Sequence, residues 1–236
     1  MHRRSTTKGE RCLEEVIKVV KYDKYLVRIE FIKPVVGALP KNSGVIEAWI
    51  RSRQRRGVDP KHIRELIEKV RKEVGADENA SKHYTTFKRD EEGIYIEDRN
   101  IKAMLREAAN VLEAFKGSGS SARKQTFQHG LFVKPERIRF LRDGEVIREP
   151  EATQERAVHV MTPRGPRSTV KLEDVVLPGA QMQFEIWVVV PSSREEAHIP
   201  EAMLRDWIEL GQEIGLGGSR SQQFGKYRIL EFKKIE

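Results

Sequence analysis

The stretch "GLGGSRSQQFGKYRI", Gly215 to Ile229, crowds its glycines between a helical pattern and the last strand-like run of the chain. In the phosphate loops of nucleotide enzymes the glycines follow a strand and open a helix, whose first amides face the anion. Here the order is reversed. "IPEAMLRDWIELGQEI" reads as a helix opened by Pro200 and ending around Ile214, the glycines come next, and a strand begins near Lys226. No Gly-Lys-Ser/Thr is present, so the pattern argues against a mononucleotide loop and a dinucleotide fingerprint alike. Two readings remain. One is a loop that permits positive φ and close backbone approach, with Arg220 and Lys226 as anion contacts. The other is a helix C-cap and turn that packs the helix onto a sheet.

Working outward, "AQMQFEIWVVV" reads as the strand before that helix. Strand, helix, loop and strand make half of a ferredoxin-like unit. The other half comes from the strand in "KYLVRIEFIKPVV", Lys24 to Val36, ended by Pro34, and from a helix whose stripe runs Ile101, Met104, Leu105, Ala108, Val111, Leu112 and Phe115. Asp98 or Asn100 is expected to cap that helix, and Gly117 to end it. The expected fold is α+β, an antiparallel ferredoxin-like sheet with helices on one face. "GVIEAWI" reads as a short apolar strand running into "RSRQRRG". Asp59-Pro60 opens a second helix, with Ile63, Leu66, Ile67 and Val70 on one face and its end near Gly75. Ala76 to Gly93 and "GSGSSARKQ" read as loops. Asp143-Gly144 marks a tight turn. "ERAVHVMTPRGPRSTVKLEDVVL" reads as a hairpin or extended arm with Arg164, Arg167 and Lys171 at or near its tip.

The 236 residues, 38% of them hydrophobic, suffice for a substantial core. Forty-four Lys and Arg against 36 Asp and Glu leave a formal charge of +8, which favours a polyanionic partner, nucleic acid ahead of a membrane. No stretch has the length of a membrane span, and "MHRRSTTKGERC" is basic without the apolar core of a signal peptide, so a cytoplasmic location is expected. The lone Cys12 excludes an internal disulfide and a cysteine-clustered zinc site.

The glycine loop resembles the C-terminal glycine loop of the repeat-associated mysterious protein (RAMP) superfamily of CRISPR effector proteins, through Gly215, Gly217, Gly218, Arg220, Phe224 and Gly225. "RNIKAMLREAA" is similar to a helix start in the backbone subunits of those complexes, often written Ser-Ser-Leu-Lys-Gly-x-Leu-Arg. Ile101, Lys102, Leu105 and Arg106 match, Ala103 replaces the glycine and Arg99-Asn100 the serines. The resemblance implies a single RAMP-like domain over residues 1–236 with an RNA-recognition-motif-like scaffold. It implies insertions at 51–93, as a palm extension, and at 155–175, as a thumb. Its implied partners are a guide RNA held by its phosphates and copies of the chain or related effector subunits.

Lys102 and Arg106 lie four apart near a helix N-terminus, where cations oppose the helix dipole. A phosphate there would explain them, and so would pairing with Asp98 or Glu107 on a solvated face. The run Arg51, Arg53, Arg55 and Arg56 admits phosphate contact, a solubilising loop or an acidic neighbour. Arg164 and Arg167 carry the same ambiguity, with Val160 and Met161 as apolar candidates for splaying bases. Trp187 and Trp207 read as core, and Phe127 and Phe132 as stacking candidates. No cofactor, metal cluster or carboxylate pair is legible. Among His62, His83, His129, His159 and His198, His62 is the least weak acid/base candidate. The expected function is a non-catalytic RNA-binding subunit of a CRISPR-type ribonucleoprotein. The alternatives are a guide-RNA-processing endoribonuclease using His62, and a stand-alone or virus-encoded relative that binds a protein.

Overall fold

A computed structural model describes residues 20–54, 58–117, 119–162, 165–192 and 195–235. Arg55, Arg56 and Arg164 lie outside the described residues, as do the side chains of Val160 and Met161.

The described residues open on β1 (Tyr22–Phe31), in which Tyr25, Val27, Ile29 and Phe31 alternate into the core. Pro34 and Gly37 bracket the short β2 (Val35–Val36), and β3 (Leu39–Pro40) follows. The expected strand at "GVIEAWI" is instead helix α1 (Ser43–Arg53). Asn42 decides this, because its side chain accepts from the Val45 amide at 3.1 Å and caps the helix. Ile46 and Ile50, one turn apart, then face Ile67, Val70 and Val74 of α2 (Pro60–Val74) in a small core of their own. That second helix begins and ends as its sequence predicts, with Asp59 accepting from the Lys61 amide and Gly75 left-handed at φ +59°.

The region expected to be a loop after α2 carries β4 (Tyr84–Thr86) and β5 (Lys88–Arg89), before β6 (Ile94–Glu97) and helix α3 (Asp98–Val111). Glu97 is the cap residue of α3 and gives no side-chain cap bond, while Asp98, in the first turn, accepts from the Arg99 amide at 2.7 Å. The helix stops at Val111 rather than Gly117, leaving Val111 and Leu112 exposed. The supposed basic loop forms α4 (Ser120–Gln125), entered through left-handed Gly119 and continued by a π-helical turn at Thr126–Gly130. Strands β7 (Leu131–Lys134), β8 (Arg137–Arg139), β9 (Leu141–Arg142) and β10 (Glu145–Val146) follow. Asp143 and Gly144, both at positive φ, make the turn between β9 and β10. The arm is a long hairpin, β11 (Ala152–Thr162) and β12 (Gly165–Val176), and the chain ends with β13 (Gln181–Val189), α5 (Glu201–Ile214) and β14 (Tyr227–Lys234).

The main sheet runs β14-β1-β13-β7, each neighbouring pair antiparallel, with α3 joining β1 to β7 and α5 joining β13 to β14 in sequence. This is the α+β, ferredoxin-like order that the two half-units predict. The helices α3 and α5 pack on the face carrying Val27, Ile29, Phe184, Ile186 and Tyr227, with Met104, Leu105, Leu204 and Trp207 in the same core. Trp207 is core as expected. Trp187 is not, because Met182, Phe184, Ile186 and Val188 alternate inward and turn Trp187 to the opposite face. A second sheet, β11-β12-β4-β3, carries the hairpin.

Candidate nucleic-acid interface

The glycines of Gly215–Ile229 are used first against the chain itself. A methyl group at Gly215 would sit 2.6 Å from the Phe224 carbonyl oxygen, one at Gly217 2.6 Å from the Val35 side chain, and one at Gly218 2.6 Å from the Gly37 carbonyl oxygen. At Gly225 it would overlap the Leu216 carbonyl oxygen. Backbone hydrogen bonds close the contact: Gly218 donates to Val36, Leu216 to Gly225, and Gly225 to Pro34. The loop therefore lies directly on the segment that follows β1, and Gly217 leaves only its outer side toward a groove.

That groove has a cavity of about 310 Å³. Trp49 and Arg53 from α1, Arg99, Asn100 and Ala103 from the first turns of α3, and Gly217 border it. The Arg53 guanidinium stacks 4.3 Å from the Trp49 ring centre. Arg99 is 68% exposed, and both its Nε, at 2.6 Å, and its Nη2 meet the Glu97 carboxylate, so its Nη1 is the nitrogen turned from that pairing. The groove thus joins one arginine of the sequence-predicted run, Arg53, to the start of the helix predicted to hold phosphate. Arg51, also predicted, pairs with Glu47 at 2.9 Å on α1 and does not line the cavity.

Lys102 and Arg106 lie on a neighbouring flank of α3. The Lys102 ammonium donates to the carbonyl oxygens of Gln128 and Leu131 at 3.0 and 2.6 Å, pinning the π-helical turn and β7 to the helix. Burial, then the Arg106 guanidinium, hold its pKa below the ordinary lysine value. Arg106 is exposed and lies over the Phe127 ring at 5.8 Å. Phe127 itself is buried against Phe115 and Trp207, which corrects its reading as a stacking candidate. Two further predicted cations are paired within the chain: Arg220 with Glu107 at 2.8 Å, and Lys226 with Glu213 at 2.5 Å.

The hairpin joins the glycine loop at its root. Glu173 of β12, with a wholly buried side chain, accepts from Lys171, Ser219 and Arg156 at 2.6 to 3.0 Å. Burial works to raise its pKa, but these donors outweigh it and hold the carboxyl below the ordinary glutamate value. Asp174, pointing the other way, accepts from Tyr84 and Thr86 of β4 at 2.7 and 2.6 Å. Lys171, opposite Arg156, lies about midway along the hairpin and not at its tip. Arg167 is exposed nearer the tip, on the same hairpin face as Lys171 and Glu173 by the period of two. Sequence reading does not single out Arg156, whose partners Glu173 and Ser219 lie in other elements, or Trp49 and Arg99 as contacts, because these two border one groove only where α1 and α3 come together.

His62 is exposed on α2. His159 meets Ser168 at 2.9 Å and His198 meets Asp23 at 3.0 Å. Among the described residues no three His, Cys, Asp or Glu side chains converge as a metal site would require, and no helix is long and apolar enough to cross a membrane.

No family model and no curated protein matches the sequence. Among solved structures the chain is similar to a chain in a cryo-EM structure of the type III-B Cmr-β complex bound to cognate target RNA. The two are 14% identical with a TM-score of 0.48, over 97% of this chain and 66% of the other.

Proposed function

We propose that this protein is a non-catalytic RNA-binding subunit of a CRISPR-type ribonucleoprotein in the cytoplasm, holding the phosphate backbone of a single-stranded guide RNA beside copies of itself or related subunits. The observation that carries the reading is the groove in which Arg53, Arg99, the start of α3 and Gly217 meet. A helix start offers a positive dipole end to an anion, and the arginines offer charged donors for phosphate oxygens. Trp49 adds a flat surface for a base. The α1–α2 pair serves as the palm extension and the β11–β12 hairpin as the thumb, in keeping with the sequence resemblance.

Replacing Arg53, Arg99 and Arg106 together by alanine is expected to weaken single-stranded RNA binding by roughly tenfold or more and to flatten the log–log salt dependence by about two. Fluorescence anisotropy of labelled RNA across a salt series measures both. Native mass of the protein purified without nuclease, with sequencing of the RNA it carries, tests the assembly. Several copies on a guide-like RNA support the reading. A clean monomer that ignores added RNA overturns it in favour of a protein-binding relative.

A further inference from the structure

The sheet face opposite the helices carries a row of side chains that the groove does not use. Strand register sets Lys24 of β1 opposite Trp187 of β13, and Trp187 opposite Phe132 of β7, so the three lie side by side across the sheet. Tyr22 leans on both rings, 5.8 Å from Trp187 and 6.3 Å from Phe132 between ring centres. The next row is Leu26, Glu185 and Lys134 in the same register. A depression of about 410 Å³ beside Trp187 is lined by Leu26, Lys134, Gln183 and Glu185. Glu185 accepts from the Trp187 indole N–H at 2.7 Å, which fixes the ring, while Lys24 stands 4.4 Å from the ring centre.

This row is continuous with the α3 cations. Lys102 reaches the edge of β7 and lies 5.8 Å from the Phe132 ring centre, and Arg106 follows one turn along α3. The order Arg106, Lys102, Phe132, Tyr22, Trp187, Lys24 places cations and rings along one path around the edge of β7, which among the described strands pairs with β13 alone. Adjacent rings flanked by lysines suit a strand whose charge lies on its backbone and whose bases present flat faces.

From this geometry we infer that the outer sheet face around Trp187, Tyr22 and Phe132 is a second contact for single-stranded RNA, a base-stacking subsite reached around β7. The inference rests on the RNA-binding reading above. Glu185 and Gln183 line the base edge.

The chain's three tryptophans separate the two contacts. Trp207 is buried, Trp49 borders the groove, and Trp187 lies on the sheet face. In a Trp49→Phe protein titrated with a short oligoadenylate, with binding followed in parallel by anisotropy, Trp187 emission is expected to be quenched. In a Trp187→Phe protein the remaining response reports Trp49. Trp187→Ala is expected to weaken binding about tenfold with an unchanged salt slope, since stacking releases no counterions. RNA that binds and quenches Trp49 but leaves Trp187 silent overturns the subsite and leaves the groove reading intact. So does a Trp187 shielded from a soluble quencher by protein assembly alone. Failure of RNA to bind at all overturns both.

Discussion

Gly225→Ala is expected to destabilise the protein by about 3 kcal/mol or more and to lower its melting temperature by roughly 6–12 °C in a thermal scan. Two costs add. Gly225 sits at φ +70°, where a side chain is strained by about 1–2 kcal/mol. The new methyl group would also overlap the Leu216 carbonyl oxygen, which is backbone and has little freedom to retreat. Leu216 is held by its amide, which donates to Gly225 at 3.0 Å, and by its buried side chain. Gly225 in turn donates to Pro34 at 2.8 Å, so displacing it loosens the junction between the glycine loop and β2. Gly144→Ala is the internal control. Gly144 has φ +86° but nothing within 4 Å of a new methyl group, so it carries the conformational cost alone, about 1 kcal/mol. Equal melting temperatures for the two variants would show that the loop is not clasped as described.

That loop also marks how far a sequence can be read. The helix before it, the strand after it and their place in a ferredoxin-like order follow from local periodicity, since β1, β13, α3 and α5 each keep one apolar face. What the glycines touch does not follow. Gly217 and Gly218 approach Val35, Val36 and Gly37, some 180 residues earlier in the chain. The cations behave alike: Arg220 meets Glu107 and Arg156 meets Ser219, pairings that exist only after the sheets have assembled. "GVIEAWI" was ambiguous by nature, because seven apolar-rich residues suit a strand or two helical turns, and Asn42 was the missed arbiter. Trp187 was legible after all. The strict alternation of Met182, Phe184, Ile186 and Val188 assigns it to the outer face, and only the mean hydropathy of "IWVVV" made it read as core.

Glu173→Leu is expected to cost about 2–4 kcal/mol and to loosen the β11–β12 hairpin from the glycine loop. The carboxylate has no exposed surface, and Arg156 and Lys171, each 23% exposed, depend on it. Removing a buried partner leaves two cations without their counter-charge, and the discount from the usual 3–5 kcal/mol reflects the water both can still reach. Because the folded pKa of Glu173 lies below its unfolded value, its contribution is fully present above the ordinary glutamate range and disappears as pH falls through the folded value. The wild-type protein should therefore lose stability in acid more steeply than the variant, and urea midpoints across a pH series measure the difference. Adding Arg156→Met and Lys171→Met to the variant should recover most of the loss, because an apolar replacement of the whole cluster leaves no charge unpaired. Asp174 still ties the opposite hairpin face to Tyr84 and Thr86, so the hairpin root stays folded while its angle to the loop relaxes. Hydrogen exchange reads that distinction, with faster exchange expected along β11 and little change in β4. If exchange in β11 stays at the wild-type rate, backbone pairing alone aims the hairpin, and Arg167 is positioned without help from the glycine loop.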